Sequence, residues 1–188
     1  MVLKLAPIVL SCVLALACAT TRVARVPDTV LIGTDRRSHA LRPVGDDRFL
    51  VLTFFSATCP CQKSHDARLR ELYVRYRARA VGFYAIDSET HADRDRDAEQ
   101  ASVRGYPFPI LIDEGGSVAH ALDAEYATFT VVLDGDGHVV YRGGIDSDKN
   151  EIHDDATPYL ADALDDVLAG RAPRRAEGKV LGCALRTW

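Results

Sequence analysis

A chain of 188 residues with 47% hydrophobic content is long enough to bury one packed core, and nothing in it requires a second domain. Its formal charge of −4, with Lys and Arg interleaved among Asp and Glu, argues against a phosphate-binding surface and so against nucleic acid as a partner.

The chain opens on MVLKLAPIVLSCVLALAC, one lysine followed by an apolar run too short to span a bilayer. Residues 1–17 read as a secretory signal peptide. Ala15-Leu16-Ala17 satisfies the small-x-small rule for cleavage and Cys18 follows at once. The stretch also resembles a bacterial lipoprotein lipobox, with Ala15 where leucine is commoner. Cleavage there makes Cys18 the first mature residue, and its acylation would anchor the protein to a membrane of the bacterial periplasm or cell envelope. Loss of Lys4 takes the formal charge from −4 to −5, and Cys59, Cys61 and Cys183 remain as unlipidated thiols. Disulfides persist in an exported, oxidising compartment. Three thiols cannot all pair within one chain, so one is left for exchange, metal or modification.

Residues 18–28 read as a tether, and residues 29–41 (TVLIGTDRRSHAL) as a small hairpin turning at Asp35. Residues 48–55 (RFLVLTFF) form an apolar run of strand length; residues 60–80 have helical spacing, with Leu69, Leu72, Tyr73 and Tyr76 on one stripe. A second strand is expected at 81–86. The Asp/Arg-rich run 91–104 reads as a solvated helix or loop. A third strand, 108–113, ends in the Gly115-Gly116 turn and leads to a short helix at 117–122. Residues 128–133 and 137–141 flank Asp134-Gly135-Asp136-Gly137, a strong hairpin signal. The closing helix, 157–169, takes Thr157 as N-cap and Pro158 as its first residue, with Gly170 just past its end. Residues 171–188 are left as a polar tail. This order predicts an α/β fold with a central mixed β-sheet, parallel in its first half and finished by an antiparallel hairpin, flanked by helices and preceded by a short N-terminal hairpin.

The stretch FFSATCPCQ, residues 54–62, places two cysteines where the first long strand gives way to the first long helix. A helix start favours negative charge, so a thiolate there is stabilised and the thiol pKa is expected to fall. Proline suits the first helical position, which makes Cys59 the cap and puts Cys61 just inside. Helical residues two apart point about 200° apart, so the two sulfurs can meet only if Cys59 lies outside the helix. Cys61 shares the core-facing stripe with His65, Leu69 and Leu72. Cys59 is therefore expected to be the more exposed thiol and the nucleophile, with Cys61 as the resolving partner. A one-residue gap makes a small, strained and readily reduced disulfide ring, a poor structural staple. His65, and Thr58 beside Cys59, are placed to tune the thiols.

FFSATCPCQKSH, VGFYAIDSE, YPFPILIDEGGSVAHAL and VVLDGDGHVVYRGGID occur in the order seen in the thioredoxin-like superfamily, specifically redoxins of the alkyl hydroperoxide reductase and thiol-specific antioxidant group. The ending VLGCALRTW resembles the tail of its peroxiredoxin-like subgroup. The resemblance covers roughly residues 29–188, with residues 29–170 as the domain. It implies a thioredoxin-like fold and thiol-disulfide chemistry at Cys59 and Cys61, acting on protein or small-molecule disulfides with an upstream thiol donor and no cofactor. Peroxide reduction is the alternative within the group. The chain departs from thioredoxins proper in its one-residue gap and in the absence of a proline before VVLD, and from peroxiredoxins proper in lacking Pro-x-x-x-Thr-x-x-Cys.

Cys183, on an isolated Gly-Cys pair in the tail that also carries the chain's one Trp, could reach back to resolve or relay the Cys59–Cys61 disulfide. A copper(I) or zinc clip of Cys59, Cys61 and His65 is a separate reading, similar in outline to copper-delivery members of the superfamily. Asp146-x-Asp148-x-Asn150 begins like a calcium loop, but Glu151 stands where the turn glycine belongs, so a solvated loop is expected. Arg142 reads as an exposed strand arginine.

Overall fold

The computed structural model describes residues 25–187. The signal peptide, Cys18, most of the tether and Trp188 lie outside the described residues. Among the described residues, no helix is long and apolar enough to cross a membrane.

Seven strands form one sheet in the order β2-β1-β5-β4-β3-β6-β7. They are β1 (Val30–Gly33), β2 (Ser38–Ala40), β3 (Phe49–Phe55), β4 (Val81–Asp87), β5 (Ile110–Ile112), β6 (Thr130–Leu133) and β7 (Val139–Gly143). The middle strands β3, β4 and β5 run parallel, while β6 and β7 on one side and β1 and β2 on the other pair antiparallel. The parallel part is thus central, because the N-terminal hairpin adds to β5 instead of standing apart. Strand β3 shows why the site sits where it does. Its side chains alternate, Val51 and Phe55 entering the core on one face and Leu50, Leu52 and Phe54 the core on the other, so a continuous apolar run is buried on both sides.

On the first face, α2 (Asp66–Arg77) and α5 (Tyr159–Leu168) supply Leu69, Leu72, Tyr76, Leu160 and Leu164. The Tyr76 hydroxyl donates to Ala161 O at 3.1 Å and locks the two helices together. On the second face, α4 (Ser117–Ala121) contributes Val118 and Ala119. Asp113 accepts from the Val118 and Ala119 amides and caps that short helix. Helix α3 (Arg94–Arg104) starts on Asp93, which accepts from Arg96 N, and ends on Gly105 in the left-handed conformation, φ 65°.

Four expectations need correction. The helix expected over 60–80 is two helices, α1 (Pro60–Ser64) and α2, separated at His65, whose ψ of 0° breaks the ladder. The run 91–104 is helical over Arg94–Arg104 but not wholly solvated, since Asp97 and Arg104 are buried. Helix α5 is preceded by Pro158 with no side-chain cap, so Thr157 does not cap it. The Asp146 loop is not wholly solvated: Lys149, Asn150 and Glu151 are exposed, but Asp146 is buried, for reasons that belong to the site.

Candidate active site

Strand β3 delivers the chain to the start of α1, and the site is built at that turn. Cys59 is the N-cap, extended at φ −79° and ψ 115°, with its sulfur accepting from Gln62 N at 3.4 Å. Pro60 opens the helix at a position where no backbone N–H is needed. Cys61 lies in the first turn, its thiol donating to Asn150 Oδ1 at 2.8 Å.

The tail completes the site. Cys183 Sγ stands 2.8 Å from Cys59 Sγ, and the sulfurs of Cys59, Cys61 and Cys183 all lie within 4.8 Å of one another. The tail reaches this place by pairing its backbone with the segment before β6. Ala127 N donates to Cys183 O at 2.9 Å, Leu185 N donates to Glu125 O at 2.8 Å, and Tyr126 and Ala184 form an antiparallel bridge. Thr90 N holds Arg186 O at 2.8 Å. Gly182 is needed here, since a Cβ on it would sit 1.7 Å from Ala127 O. Nearer its root, the tail is tied to α5 by Arg171 and Arg174, which both bond Asp166. Polarity does not keep this segment off the protein, because its backbone groups find partners along an unpaired edge.

The tail also overturns the expected asymmetry of exposure. Cys59 and Cys61 are each only 2% exposed, and Cys183 is the half-buried thiol. Burial pushes the Cys61 thiol pKa up, and the charge of Cys59 adds to the rise, so the lowering expected at a helix start does not hold for Cys61. Burial, then the contact with Cys59, likewise raises Cys183.

His65 is buried with Nδ1 2.7 Å from Cys61 O and Nε2 3.2 Å from Asp146 Oδ1. A carbonyl and a carboxylate can only accept, so the doubly protonated ring, which donates from both nitrogens, suits these two contacts best. Burial pulls its pKa down, but the bonds to Asp146 and Cys61 O outweigh this and the net shift is upward. Asp146 also pairs with Arg68, and these cations overcome burial to hold its carboxyl below the usual range. With both nitrogens engaged, His65 is not turned to the sulfurs; Cys183 takes the third corner of the cluster. Thr58 is exposed, its hydroxyl 3.4 Å from Ser56 Oγ, and among the described residues no hydrogen bond joins it to a thiol. Arg142 is half-buried, donating to Leu122 O at 3.0 Å and stacking on Phe129.

Sequence reasoning missed Asn150, the Asp146 anchor and the docking edge at residues 125–127. The Asp146-x-Asp148-x-Asn150 spacing was a signal for the first two. It marks a loop whose polar side chains converge, here on Arg68, His65 and Cys61 instead of a metal ion.

Comparison with solved structures finds the same architecture. An uncharacterized conserved protein from Geobacillus kaustophilus superposes with a TM-score of 0.78 at 29% identity, over 87% of this chain and 90% of that one. A hypothetical protein from Sinorhizobium meliloti 1021 gives 0.79 at 25% identity, over 88% and 93%. A thiol-disulfide oxidoreductase from Bacteroides fragilis NCTC 9343 shares the fold at 18% identity, with a TM-score of 0.55 over 63% and 88%. No curated protein matches the chain. The Redoxin family model matches residues 23–157, a span running from the N-terminal hairpin through both helix-start cysteines to the Asn150 loop, and the chain belongs to the redoxin family.

Proposed function

We propose that this protein is an exported, lipid-anchored thiol-disulfide oxidoreductase in which Cys59 is the nucleophile, Cys61 resolves and Cys183 relays. The observation that carries this reading is the cluster of three thiols at the start of α1, with Cys183 2.8 Å from Cys59. Family membership and the fold shared with a thiol-disulfide oxidoreductase support it.

The Cys59 thiolate attacks one sulfur of a substrate disulfide, forming a mixed disulfide and releasing the other substrate sulfur, which takes up a proton. Cys61, once deprotonated, attacks Cys59 Sγ, closes the Cys59–Cys61 disulfide and expels the remaining substrate thiol. The substrate gains two electrons and the enzyme loses two. Cys183 then attacks Cys59 Sγ and Cys61 regains its proton, so the bond passes to Cys59–Cys183 with no further oxidation. An upstream thiol donor returns the pair to the reduced state. Cys59→Ser should abolish turnover of a disulfide substrate, and retention of full activity overturns the assignment. Mass spectrometry of the mature protein tests acylation at Cys18, and direct measurement of peroxide consumption tests the peroxide alternative.

The cluster also favours a second reading. Three sulfurs within 4.8 Å suit a thiophilic ion such as copper(I), with Cys183 in the place expected for His65. Stoichiometric retention of copper(I) by reduced protein against a competing chelator, lost in Cys183→Ser and kept in His65→Ala, would support it. Failure to retain copper removes it.

A further inference from the structure

We propose that the backbone edge at residues 125–127 is a docking strand for an extended polypeptide carrying a Gly-Cys pair, and that the chain's own residues 181–185 occupy it as a resident competitor. The inference rests on the reading of Cys59 as nucleophile and adds a substrate class to it.

The edge is specified by backbone groups. Ala127 N and Glu125 O are both satisfied by the tail, at 2.9 and 2.8 Å, in antiparallel register about the Tyr126–Ala184 bridge. Thr128 Oγ1 adds a contact to Leu181 O at 3.4 Å. When the tail lifts, these groups need another partner, and an incoming strand supplies the same donors and acceptors. Register then decides chemistry, because the residue opposite Ala127 brings its sulfur onto Cys59, as Cys183 does.

Side-chain sterics turn the edge into a filter. The residue before the cysteine must be glycine, since a Cβ there would fall 1.7 Å from Ala127 O and 2.9 Å from Thr128 Oγ1. The residue after it, Ala184, is exposed and places no demand. The next, Leu185, packs on the Cys59, Cys61 and Ala127 cluster, which selects an apolar side chain. The edge thus fits an extended or locally unfolded segment of the form Gly-Cys-x-apolar with its cysteine in a disulfide. Attack by Cys59 forms the mixed disulfide and releases the partner sulfur as a thiol. The ties from Arg171 and Arg174 to Asp166 keep the tail tethered while its end is displaced.

The test uses the full chain carrying Cys61→Ser and Cys183→Ser, so that a mixed disulfide at Cys59 is neither resolved nor relayed. Two probes are the peptide VLGCALR and its counterpart VLACALR, each with its cysteine joined to thionitrobenzoate; Ellman's reagent serves as the small disulfide. Release of thionitrobenzoate gives the rate, and peptide mapping locates the adduct. The glycine peptide is expected to label Cys59 at least tenfold faster than the alanine peptide. Adding Leu185→Pro, which removes the N–H that holds Glu125 O, should raise the glycine-peptide rate severalfold. Equal rates for the two peptides, with Ellman's reagent still modifying Cys59, overturn the docking proposal and leave the nucleophile standing. Failure of Ellman's reagent to modify Cys59 overturns the nucleophile and the proposal with it.

Discussion

Cys59 and Cys183 are 124 positions apart in the chain and 2.8 Å apart at sulfur. That relationship gives the two possible disulfides very different thermal signatures. In the chain-entropy view a bridge closing so long a loop stabilises by about 5 kcal/mol, whereas one closing the three-residue Cys59–Cys61 loop gives roughly 1.5 kcal/mol before strain. Oxidised protein should therefore melt roughly 10 °C or more above reduced protein if Cys183 holds the final disulfide. The Cys183→Ser variant should lose most of that gap. A gap of the same size in Cys183→Ser would place the resting disulfide at Cys59–Cys61 and rule out the relay.

Asn150 accepts the S–H of Cys61, which favours the protonated thiol. Asn150→Ala should make the Cys61 thiolate easier to form. In a chain with Cys59→Ser and Cys183→Ser, the midpoint of Cys61 alkylation against pH is expected to move down. A midpoint that stays or rises would show that Asn150 does not act on the resolving thiol.

The His65–Asp146 pair should make stability depend on pH in a definite direction. The His65 pKa is raised in the fold, so its contribution is complete below about 6.5 and is lost as pH rises through the higher folded value. The Asp146 pKa is lowered, so its contribution is present above the unfolded carboxylate value and is lost as pH falls through the lower folded one. Asp146→Asn leaves the buried His65 ring without its anion and Arg68 with Asp148 alone, and should cost about 3–5 kcal/mol near pH 6. Urea unfolding at several pH values checks this. The variant should lose part of the decline in stability that begins above about pH 6.5, and an unchanged profile would mean that the pair is not the titrating unit.

Much of the fold was legible because burial is written locally. The run FLVLTFF in β3 declares a strand buried on both faces, and the Asp-Gly-Asp-Gly turn between β6 and β7 declares a hairpin. The helix-start location of Cys59 followed from Pro60 and the two-residue spacing. The exposure of Cys59 did not follow, because it depends on a tail that docks through backbone groups, and backbone pairing leaves no hydrophobic period to read. The break at His65 was equally hidden. It reflects a side chain bonded to Cys61 O and to Asp146, a partner 81 positions away.

Asp87 and Asp97 offer the last test, because they place like charges together with little to relieve them. Both are fully buried; Asp87 Oδ1 accepts from Glu89 N at 2.8 Å, while Asp87 Oδ2 and both Asp97 oxygens have no hydrogen-bond partner among the described residues. The Arg96 guanidinium lies 3.7 Å from Asp87 and 3.6 Å from Asp97, too far for a close bidentate pair. Burial raises both carboxyl pKa values, and the charge of Asp97 raises Asp87 further. A carboxyl with a raised folded pKa loses stability as pH climbs from its unfolded value to its folded one, because the unfolded chain ionises first. Asp97→Asn keeps the shape and removes one charge, so it should stabilise by about 1 kcal/mol at pH 8 and flatten the decline. The effect should extend to the tail, since Asp87 holds Glu89 N, Glu89 accepts from Ser56 Oγ, and neighbouring Thr90 holds Arg186 O. Hydrogen exchange at the Thr90 and Ala127 amides should quicken with pH beyond its intrinsic rise in the native chain, and do so less in Asp97→Asn. Equal pH dependence in both would confine the carboxyl pair to the core and separate it from the strap over the thiols.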